Sequence, residues 1–177
     1  MTSTPVLAPV QGHALPLSEV PDPVFSQGMV GYGATVDPPR QVVDAIAPVS
    51  GKIIKLLPHA YVIMTAEGVG VLVHLGLDTV GLNGAGFTTH VAQGDTVSAG
   101  QPVITYDVPV IVAAGLSPVV PVVVMDEREP ANIAVGEAVS TGTDIAAGAT
   151  RVVANKETRR WKASSWTERQ RSVASPP

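Results

Sequence analysis

Two histidines, His59 and His74, are the residues of this chain whose types and spacing suit chemistry. His59 precedes the strand-like run Tyr61-Val-Ile-Met-Thr65, and His74 ends the run Val69-Gly-Val-Leu-Val-His74. With a pKa near 6.5, an imidazole offers a neutral ring nitrogen at physiological pH. Such a pair can supply a nucleophile and a charge-stabilising partner, bind a metal with a third ligand, or make ordinary surface hydrogen bonds.

Other catalytic chemistries lack the residues they need. The chain contains no cysteine, which excludes disulfides, thiol nucleophiles and thiolate metal sites. It contains neither the Gly-x-Ser-x-Gly motif of serine hydrolases nor the Gly-x-x-x-x-Gly-Lys-Ser/Thr loop that binds nucleotide phosphates. A nucleotide-driven kinase is therefore not expected.

The two strand-like runs predict a hairpin with a turn at Ala66-Glu67-Gly68. A two-residue loop at 66–67 would set His59 directly opposite His74, and a loop at 67–68 would make them diagonal neighbours. In either register the side chains share one face of the sheet, with Cβ atoms about 5 to 8 Å apart. A loop of odd length or a bulge would break this argument.

Composition indicates the elements that must position the histidines. Of the 177 residues, 45% are apolar and 15% are charged, a balance that favours a folded globule. Glycine (17) and proline (16) repeatedly interrupt short Val/Ile runs, which is typical of short strands joined by turns. We therefore expect an all-β chain.

Two internal echoes suggest that the architecture is duplicated. Leu7-Ala-Pro-Val-Gln-Gly12 is similar to Ile46-Ala-Pro-Val-Ser-Gly51, and Gly94-Asp-Thr-Val-Ser-Ala-Gly100 is similar to Gly136-Glu-Ala-Val-Ser-Thr-Gly142. Each pair is separated by about 40 residues, the size of a supersecondary unit. A β-sandwich built from two related sub-motifs would produce this pattern, and chance matching of short Gly/Pro/Val strings is the alternative.

An uncharged segment of 18 residues, Val108 to Met125, approaches the length of a membrane span. It contains Pro109, Pro118 and Pro121, which would break a spanning helix. We expect instead a short helix with Asp107 as N-cap and Gly115 as its end, followed by a strand at 119–125.

Charge divides the chain into a domain at residues 1–150 and a basic, flexible tail at 151–177. The tail holds seven Lys and Arg against two acids, which leaves the first 150 residues with four bases, 13 acids and a net charge of −9. That sign disfavours nucleic acid as a partner and favours a basic protein. The tail also holds Trp161 and Trp166, which could make peripheral contact with an anionic membrane, although a solvated extension is the simpler reading. The N-terminus lacks a basic segment followed by an apolar stretch, so a cytoplasmic location is expected.

Three segments resemble the enzyme IIA signature of the glucose family of the bacterial sugar phosphotransferase system: His59-Ala-Tyr-Val-Ile63, Val73-His-Leu-Gly-Leu-Asp-Thr-Val80 and Leu82-Asn-Gly-Ala-Gly-Phe87. Supporting matches are Val20-Pro-Asp-Pro-Val-Phe25, Met29-Val-Gly-Tyr-Gly33, Ile46–Gly51 and Gly94-Asp-Thr-Val97. The resemblance covers about residues 5 to 148. Leu57-Pro58 departs from the pattern, because relatives often carry a polar residue or threonine before the first histidine.

The resemblance implies an antiparallel β-sandwich with a duplicated motif and a phosphotransferase activity. It places the phosphorylated histidine at His74 and the histidine that supports the phosphoryl group at His59. It places the motif aspartate at Asp78, near the site. It assigns an apolar rim that docks partners to Phe25, Val30 and Leu72. His13 and His90 match nothing functional and are expected at ordinary surface positions.

The resemblance also implies the partners. The histidine-containing phosphocarrier protein would be the donor, and a cysteine of a IIB domain the acceptor. No cofactor would be required, although zinc could be bound by His59 and His74 together with a partner's carboxylate. The main alternative is a regulatory protein that binds transporters or enzymes and is switched by phosphorylation. A zinc peptidase is disfavoured, because His74-x-x-x-Asp78 would need a further His-x-His pair that the chain lacks.

Overall fold

The computed structural model of the chain describes residues 3–125 and the strand segments 133–135, 144–145 and 151–155. Its strands are β1 (Ser3–Leu7), β2 (Gly12–Pro16), β3 (Gly31–Asp37), β4 (Val42–Ile46), β5 (Gly51–Leu57), β6 (Ala60–Met64), β7 (Gly70–His74), β8 (Phe87–Thr89), β9 (Thr96–Val97), β10 (Pro102–Asp107), β11 (Val120–Met125), β12 (Ile133–Val135), β13 (Asp144–Ile145) and β14 (Arg151–Asn155). Two short α-helices, α1 (Pro23–Ser26) and α2 (Val108–Ala113), and two 3-10 turns, Leu17–Glu19 and Thr79–Leu82, lie between them.

The strands form three antiparallel sheets. The largest has eight strands in the order β13-β2-β3-β11-β7-β6-β5-β9, and the smaller ones have the orders β4-β10-β8 and β1-β14-β12. Every strand pairing in the described residues is antiparallel. The predicted all-β antiparallel architecture is confirmed, and the one or two short helices expected with it are the two α-helices α1 and α2.

Both faces of the large sheet are covered at its centre. In β6, Tyr61 and Ile63 belong to one buried apolar cluster, whereas Val62 belongs to a second cluster on the opposite face. In β7, Val73 and Leu72 divide between the two clusters in the same way. Because side chains alternate across a strand, burial on both faces requires continuous apolar runs, and these are the runs seen in the sequence.

The first echoed pair of segments meets in space. The Leu7 amide donates to the Pro48 carbonyl at 2.9 Å, and the Ile46 amide donates to the Pro9 carbonyl, also at 2.9 Å. Leu7 is equivalent to Ile46 in the two copies, and Pro9 to Pro48, so the copies exchange the same hydrogen bond. In the second pair, Thr96 and Val97 form β9, while residues 136–142 lie outside the described residues.

The uncharged segment forms α2 and β11, as predicted. Asp107 is the N-cap of α2 but makes no side-chain capping hydrogen bond, so the helix start relies on Pro109 within the first turn. The helix ends at Ala113, and its C-cap Ala114 lies directly before Gly115. Within the part of the chain that the structure describes, no helix combines the length and hydropathy needed to cross a membrane.

The first five residues of the segment that composition assigned to a tail form a strand. Arg151–Asn155 forms β14, which pairs with β1 along its whole length and with β12 on its other side. Apolar Val152 and Val153 therefore extend the sheet where the basic composition of 151–177 had indicated a tail. Residues 156–177, which include Trp161 and Trp166, lie outside the described residues.

Candidate functional site

His74 lies at the end of a central, fully buried strand, and a backbone carbonyl determines its tautomer. Its Nδ1 atom is 2.6 Å from the carbonyl oxygen of Gly76. A carbonyl oxygen only accepts, so Nδ1 carries the hydrogen and donates it. In the neutral ring, Nε2 therefore keeps its lone pair.

The loop after His74 is held in place from several directions. The Gly76 amide donates to the Val119 carbonyl at 3.1 Å, and the Leu77 amide donates to the Ser117 carbonyl at 2.9 Å. The Thr79 hydroxyl donates to the Leu75 carbonyl at 2.8 Å. The carbonyl that orients His74 thus belongs to a segment with little freedom to shift.

The predicted register between the two histidine strands is wrong. Ala60 pairs with His74, and the Leu75 amide donates to the His59 carbonyl at 2.8 Å, so His59 is opposite Leu75. The cause is a turn of three residues at 66–68, closed by the Thr65 amide donating to the Val69 carbonyl. This is the odd-length loop that invalidates the alternation argument.

The two rings nevertheless meet, for a different reason. Pro58 and His59 form the two-residue connection between β5 and β6, where Leu57 pairs with Ala60. His59 is therefore a turn residue, and the alternation of a strand does not dictate where its side chain points. The ring centroids of His59 and His74 are 5.1 Å apart, with the ring planes at 69°.

Apolar and aromatic groups surround the two imidazoles. The Phe25 ring is 5.3 Å from that of His74, and the Phe87 ring is 6.4 Å from that of His59. Both histidines are almost fully buried, with 4% of His59 and 5% of His74 exposed. The buried Nε2 of His59 has no hydrogen-bond partner among the described residues.

Burial keeps both rings neutral at physiological pH. It lowers the pKa of His59 to about 4, and the neighbouring His74 lowers it further in the same direction. Burial also lowers the pKa of His74 to about 4, against the opposing effect of the hydrogen bond to Gly76. The pair thus presents uncharged ring nitrogens in a site of low polarity.

The apolar residues assigned to a docking rim occupy a different position. Phe25 touches His74 but is itself only 3% exposed, and Val30 and Leu72 are 0% exposed; all three pack in the second buried cluster. They support the site and expose almost no surface to a partner. Exposed apolar side chains nearby in the chain are Met29, which follows α1, and Val80, two residues after Asp78.

Two carboxylates are close enough to influence each other. Asp78 is exposed and adopts a left-handed backbone conformation (φ 58°) before the 3-10 turn. Asp22 caps α1 by accepting a hydrogen bond from the Val24 amide at 3.0 Å. Burial raises the pKa of Asp22, and the negative charge of Asp78 raises it further. Sequence reasoning placed Asp78 near the site but assigned no role to Asp22. The sequence feature that could have identified Asp22 is its position as a helix N-cap, three residues before Phe25.

The other two histidines lie on the surface of the molecule. His13 and His90 are exposed, as expected, and the His90 ring contacts the Thr105 hydroxyl. No group of three or more His, Cys, Asp or Glu side chains that could hold a metal exists within the described residues. His59 and His74 could supply two ligands to zinc, and another molecule would have to supply the rest.

Comparison with known proteins assigns the chain to a family. The model of the phosphoenolpyruvate-dependent sugar phosphotransferase system EIIA 1 family matches residues 4–129. The glucose-specific EIIA component of Oceanobacillus iheyensis is 39% identical over 137 residues, which cover 75% of this chain and 82% of the relative. The mannose-specific EIIBCA component of Corynebacterium glutamicum is 43% identical over 119 residues, 67% of this chain and 17% of that larger protein.

A solved structure agrees. The glucose permease IIA of Mycoplasma capricolum superposes with a TM-score of 0.73 at 34% identity, covering 86% of this chain and 96% of that one. The segment matched by the family model, residues 4–129, includes both His59 in the β5–β6 turn and His74 at the end of β7. The chain therefore belongs to the EIIA 1 family of the phosphoenolpyruvate-dependent sugar phosphotransferase system.

Proposed function

We infer that this chain is a phosphocarrier of sugar uptake that takes a phosphoryl group onto Nε2 of His74. The observation that carries this inference is the hydrogen bond from His74 Nδ1 to the Gly76 carbonyl, which leaves Nε2 as the nucleophilic nitrogen. Because burial keeps the ring neutral, its lone pair is available at physiological pH. A phosphotransferase that carries the phosphoryl group on His74 needs no second nucleophile of its own.

Neither phosphoryl-transfer step requires a cofactor. His74 Nε2 attacks the phosphorus of a phosphohistidine on the donor, so a new P–N bond forms as the donor's P–N bond breaks. In the second step a thiolate of the acceptor attacks the same phosphorus, and the electron pair of the breaking P–N bond returns to Nε2. The donor is the histidine-containing phosphocarrier protein, and the acceptor is a cysteine of a IIB domain. The hydrogen on His74 Nδ1 stays on that nitrogen throughout and remains donated to the Gly76 carbonyl.

His59 supports the phosphoryl group. Its buried Nε2 lacks a partner among the described residues and lies on the ring that faces His74. As an Nε2–H tautomer it can donate to a phosphoryl oxygen, and an incoming dianion would raise its pKa and favour the charged donor. Phosphoryl transfer depends mainly on such positioning and charge stabilisation.

The aromatic surroundings protect the intermediate. Phe25 beside His74 and Phe87 beside His59 leave little room for water next to the reacting nitrogen. A phosphohistidine is otherwise open to hydrolysis, so exclusion of water favours transfer to a partner. This explains why a site for an anionic group is lined with apolar rings.

Partner attraction follows from charge. Asp22 and Asp78 lie together beside the site, and residues 1–150 carry a net charge of −9. A donor or acceptor with a basic docking face would be steered toward this surface. Exposed Met29 and Val80 would supply apolar contact area. Such transient partners meet the chain in the cytoplasm.

The same two imidazoles could also serve as ligands to an optional zinc ion. Their Nε2 atoms are the donors that would hold it, and a carboxylate from a partner would complete the site. The regulatory alternative uses the same face, because a phosphoryl group on His74 would add charge next to Asp22 and Asp78. Binding assays with phosphorylated and unmodified protein separate regulation from transport.

The roles of the histidines are tested with radiolabelled phosphocarrier protein as donor. We expect His74→Ala to take up no label, and His59→Gln to take up label but pass it to a IIB domain more than tenfold more slowly. His90→Gln, at an exposed position away from the pair, should behave as the unaltered protein. Labelling of His74→Ala would contradict the nucleophile, and a normal transfer rate in His59→Gln would contradict the second role.

A further inference from the structure

Tyr106 contacts residues that support each of the two histidines. It lies on β10, is fully buried, and is the cross-strand partner of Phe87 on β8. Its hydroxyl donates to the Pro118 carbonyl at 2.9 Å, and its ring stacks on that of Phe87 with centroids 5.5 Å apart and planes at 7°. The two ends of one side chain therefore contact two different supports.

The hydroxyl end supports His74. Pro118 lies between Ser117 and Val119, the two residues whose carbonyls accept from the amides of Leu77 and Gly76. A Cβ atom built on Gly76 would be 3.1 Å from the Tyr106 hydroxyl oxygen, so this oxygen lies directly against the residue whose carbonyl orients His74. Burial raises the pKa of Tyr106, so the hydroxyl keeps its proton and remains a donor.

The ring end supports His59. The Phe87 ring contacts two others: it stacks on the ring of Tyr106, and the His59 ring lies 6.4 Å away, tilted by 60°. His59 lies in a turn, so packing against Phe87 rather than strand pleating restricts where its ring points. Offset aromatic contacts of this kind contribute orientation as well as burial.

We propose that Tyr106 is a positioning residue that sets the two imidazoles relative to each other. Its hydroxyl, through Pro118 and the 117–119 segment, holds the Gly76 carbonyl that selects the tautomer of His74. Its ring, through Phe87, holds His59. The proposal deepens the proposed function, because it explains how two nitrogens from a strand end and a turn are aligned. The alignment itself is a property of the unphosphorylated protein.

The chain offers a matched control. Tyr61 on β6 is also fully buried, and its hydroxyl also donates to a backbone carbonyl, that of Ile46, at 2.7 Å. Tyr61→Phe and Tyr106→Phe thus delete the same atom and the same kind of hydrogen bond. Only Tyr106 is bonded to the segment that clamps Gly76, so a general loss of packing would affect both variants alike.

The test is imidazole nitrogen-15 NMR of the full chain in its unphosphorylated state. We expect Tyr106→Phe to move the tautomer ratio of His74 away from Nδ1–H by roughly fivefold, as the loss of one net hydrogen bond would do. Phe87→Leu should alter the resonances of His59 and leave the His74 ratio in place. Tyr61→Phe should leave both histidines unchanged.

Two outcomes would overturn the proposal. One is a His74 tautomer ratio in Tyr106→Phe equal to that of the unaltered protein, and the other is an equal shift in Tyr61→Phe. Because these spectra need no phosphoryl donor, they test whether Tyr106 positions the two imidazoles independently of whether His74 carries a phosphoryl group. In the transfer assay, Tyr106→Phe should lower kcat several-fold at unchanged KM, since the docking face is intact.

Discussion

The Gly76 carbonyl oxygen accepts a hydrogen bond from His74 Nδ1 at 2.6 Å, across a single intervening residue. This contact links a backbone conformation to a chemical property, because it decides which ring nitrogen holds the lone pair. Gly76 can present its carbonyl in this way only at φ +79°, in the left-handed region that favours glycine. The reactivity of His74 therefore depends on a residue without a side chain.

Replacing Gly76 by alanine should damage both stability and phosphoryl uptake. The added Cβ would lie 2.5 Å from Thr79 Cγ2, and the backbone would be strained as well. Together these effects should lower the unfolding free energy by about 2–4 kcal/mol. Urea unfolding measures the loss, and labelling by the phosphorylated donor measures the effect on His74.

Gly94→Ala is the control for that substitution. Gly94 has φ +99°, but a Cβ there would meet no atom within 4 Å. It should cost only the backbone strain, about 1–2 kcal/mol, and leave labelling intact. Equal labelling defects in the two alanine variants would show that the Gly76 carbonyl has no specific role.

Acidification should destabilise the protein through its buried histidines. The pKa of each is lowered from 6.5 to about 4, so the folded chain binds fewer protons than the unfolded chain between these values. The stability they contribute is complete above pH 6.5 and is lost as pH falls toward 4. Each should contribute a slope of roughly 1.4 kcal/mol per pH unit in that window.

The measurement is urea unfolding across that pH range, compared with the His59→Gln/His74→Gln double variant. Subtracting the two curves removes the contribution of the carboxylates, which titrate in both proteins. The difference should decline steadily below pH 6.5. Parallel curves would mean that the two rings titrate normally in the folded protein.

Pro58 should restrict the turn that carries His59. Proline holds its own φ near −65°, so Pro58→Ala should lower stability by about 0.4–1 kcal/mol through the unfolded chain and loosen the turn. The His59 ring should become more mobile in NMR relaxation, with slower transfer to the acceptor. Pro39→Ala, in the loop between β3 and β4, is the matched change; it should affect stability alone. Identical His59 relaxation in both variants would argue against this role.

Asp78→Asn should bring the pKa of Asp22 partway back toward its usual range. The substitution removes the repulsion between the two carboxylates, whereas burial, the larger cause of the raised pKa, persists. Carboxyl carbon-13 NMR titration follows Asp22 directly. Asp44→Asn, which removes an exposed carboxylate bonded to Thr105, should not move it. A response of Asp22 to Asp44→Asn alone would contradict the pairing.

Part of the site could be foreseen from the sequence, and the misses have physical causes. The Val/Ile runs predicted β6, β7 and β11, because strands buried on both faces must be apolar throughout. The register failed because a loop of two residues and one of three look alike in Ala66-Glu67-Gly68, yet a shift of one position exchanges the faces. The two imidazole rings still lie close together, because His59 is in a turn and its side chain does not follow the alternation of a strand.

Tertiary relationships were beyond local patterns. From the sequence alone, Val30 and Leu72 could not be told from exposed residues of an apolar rim. Their burial is visible only in the packing of α1 over the sheet. Asp22 and Asp78 are 56 positions apart, and no periodicity brings them together. The bond from Tyr106 to Pro118 likewise depends on how α2 returns the chain to the site.

The exchanged bonds between Leu7 and Pro48 and between Ile46 and Pro9 have a kinetic consequence. Neither bond can form until segments some forty positions apart have found each other, and a slip of one residue breaks both at once. Such distant contacts make the search slow, on the order of milliseconds to seconds for β proteins. The same symmetry that locks the finished molecule therefore delays its assembly and exposes unpaired strand edges while the newly made chain is still incomplete.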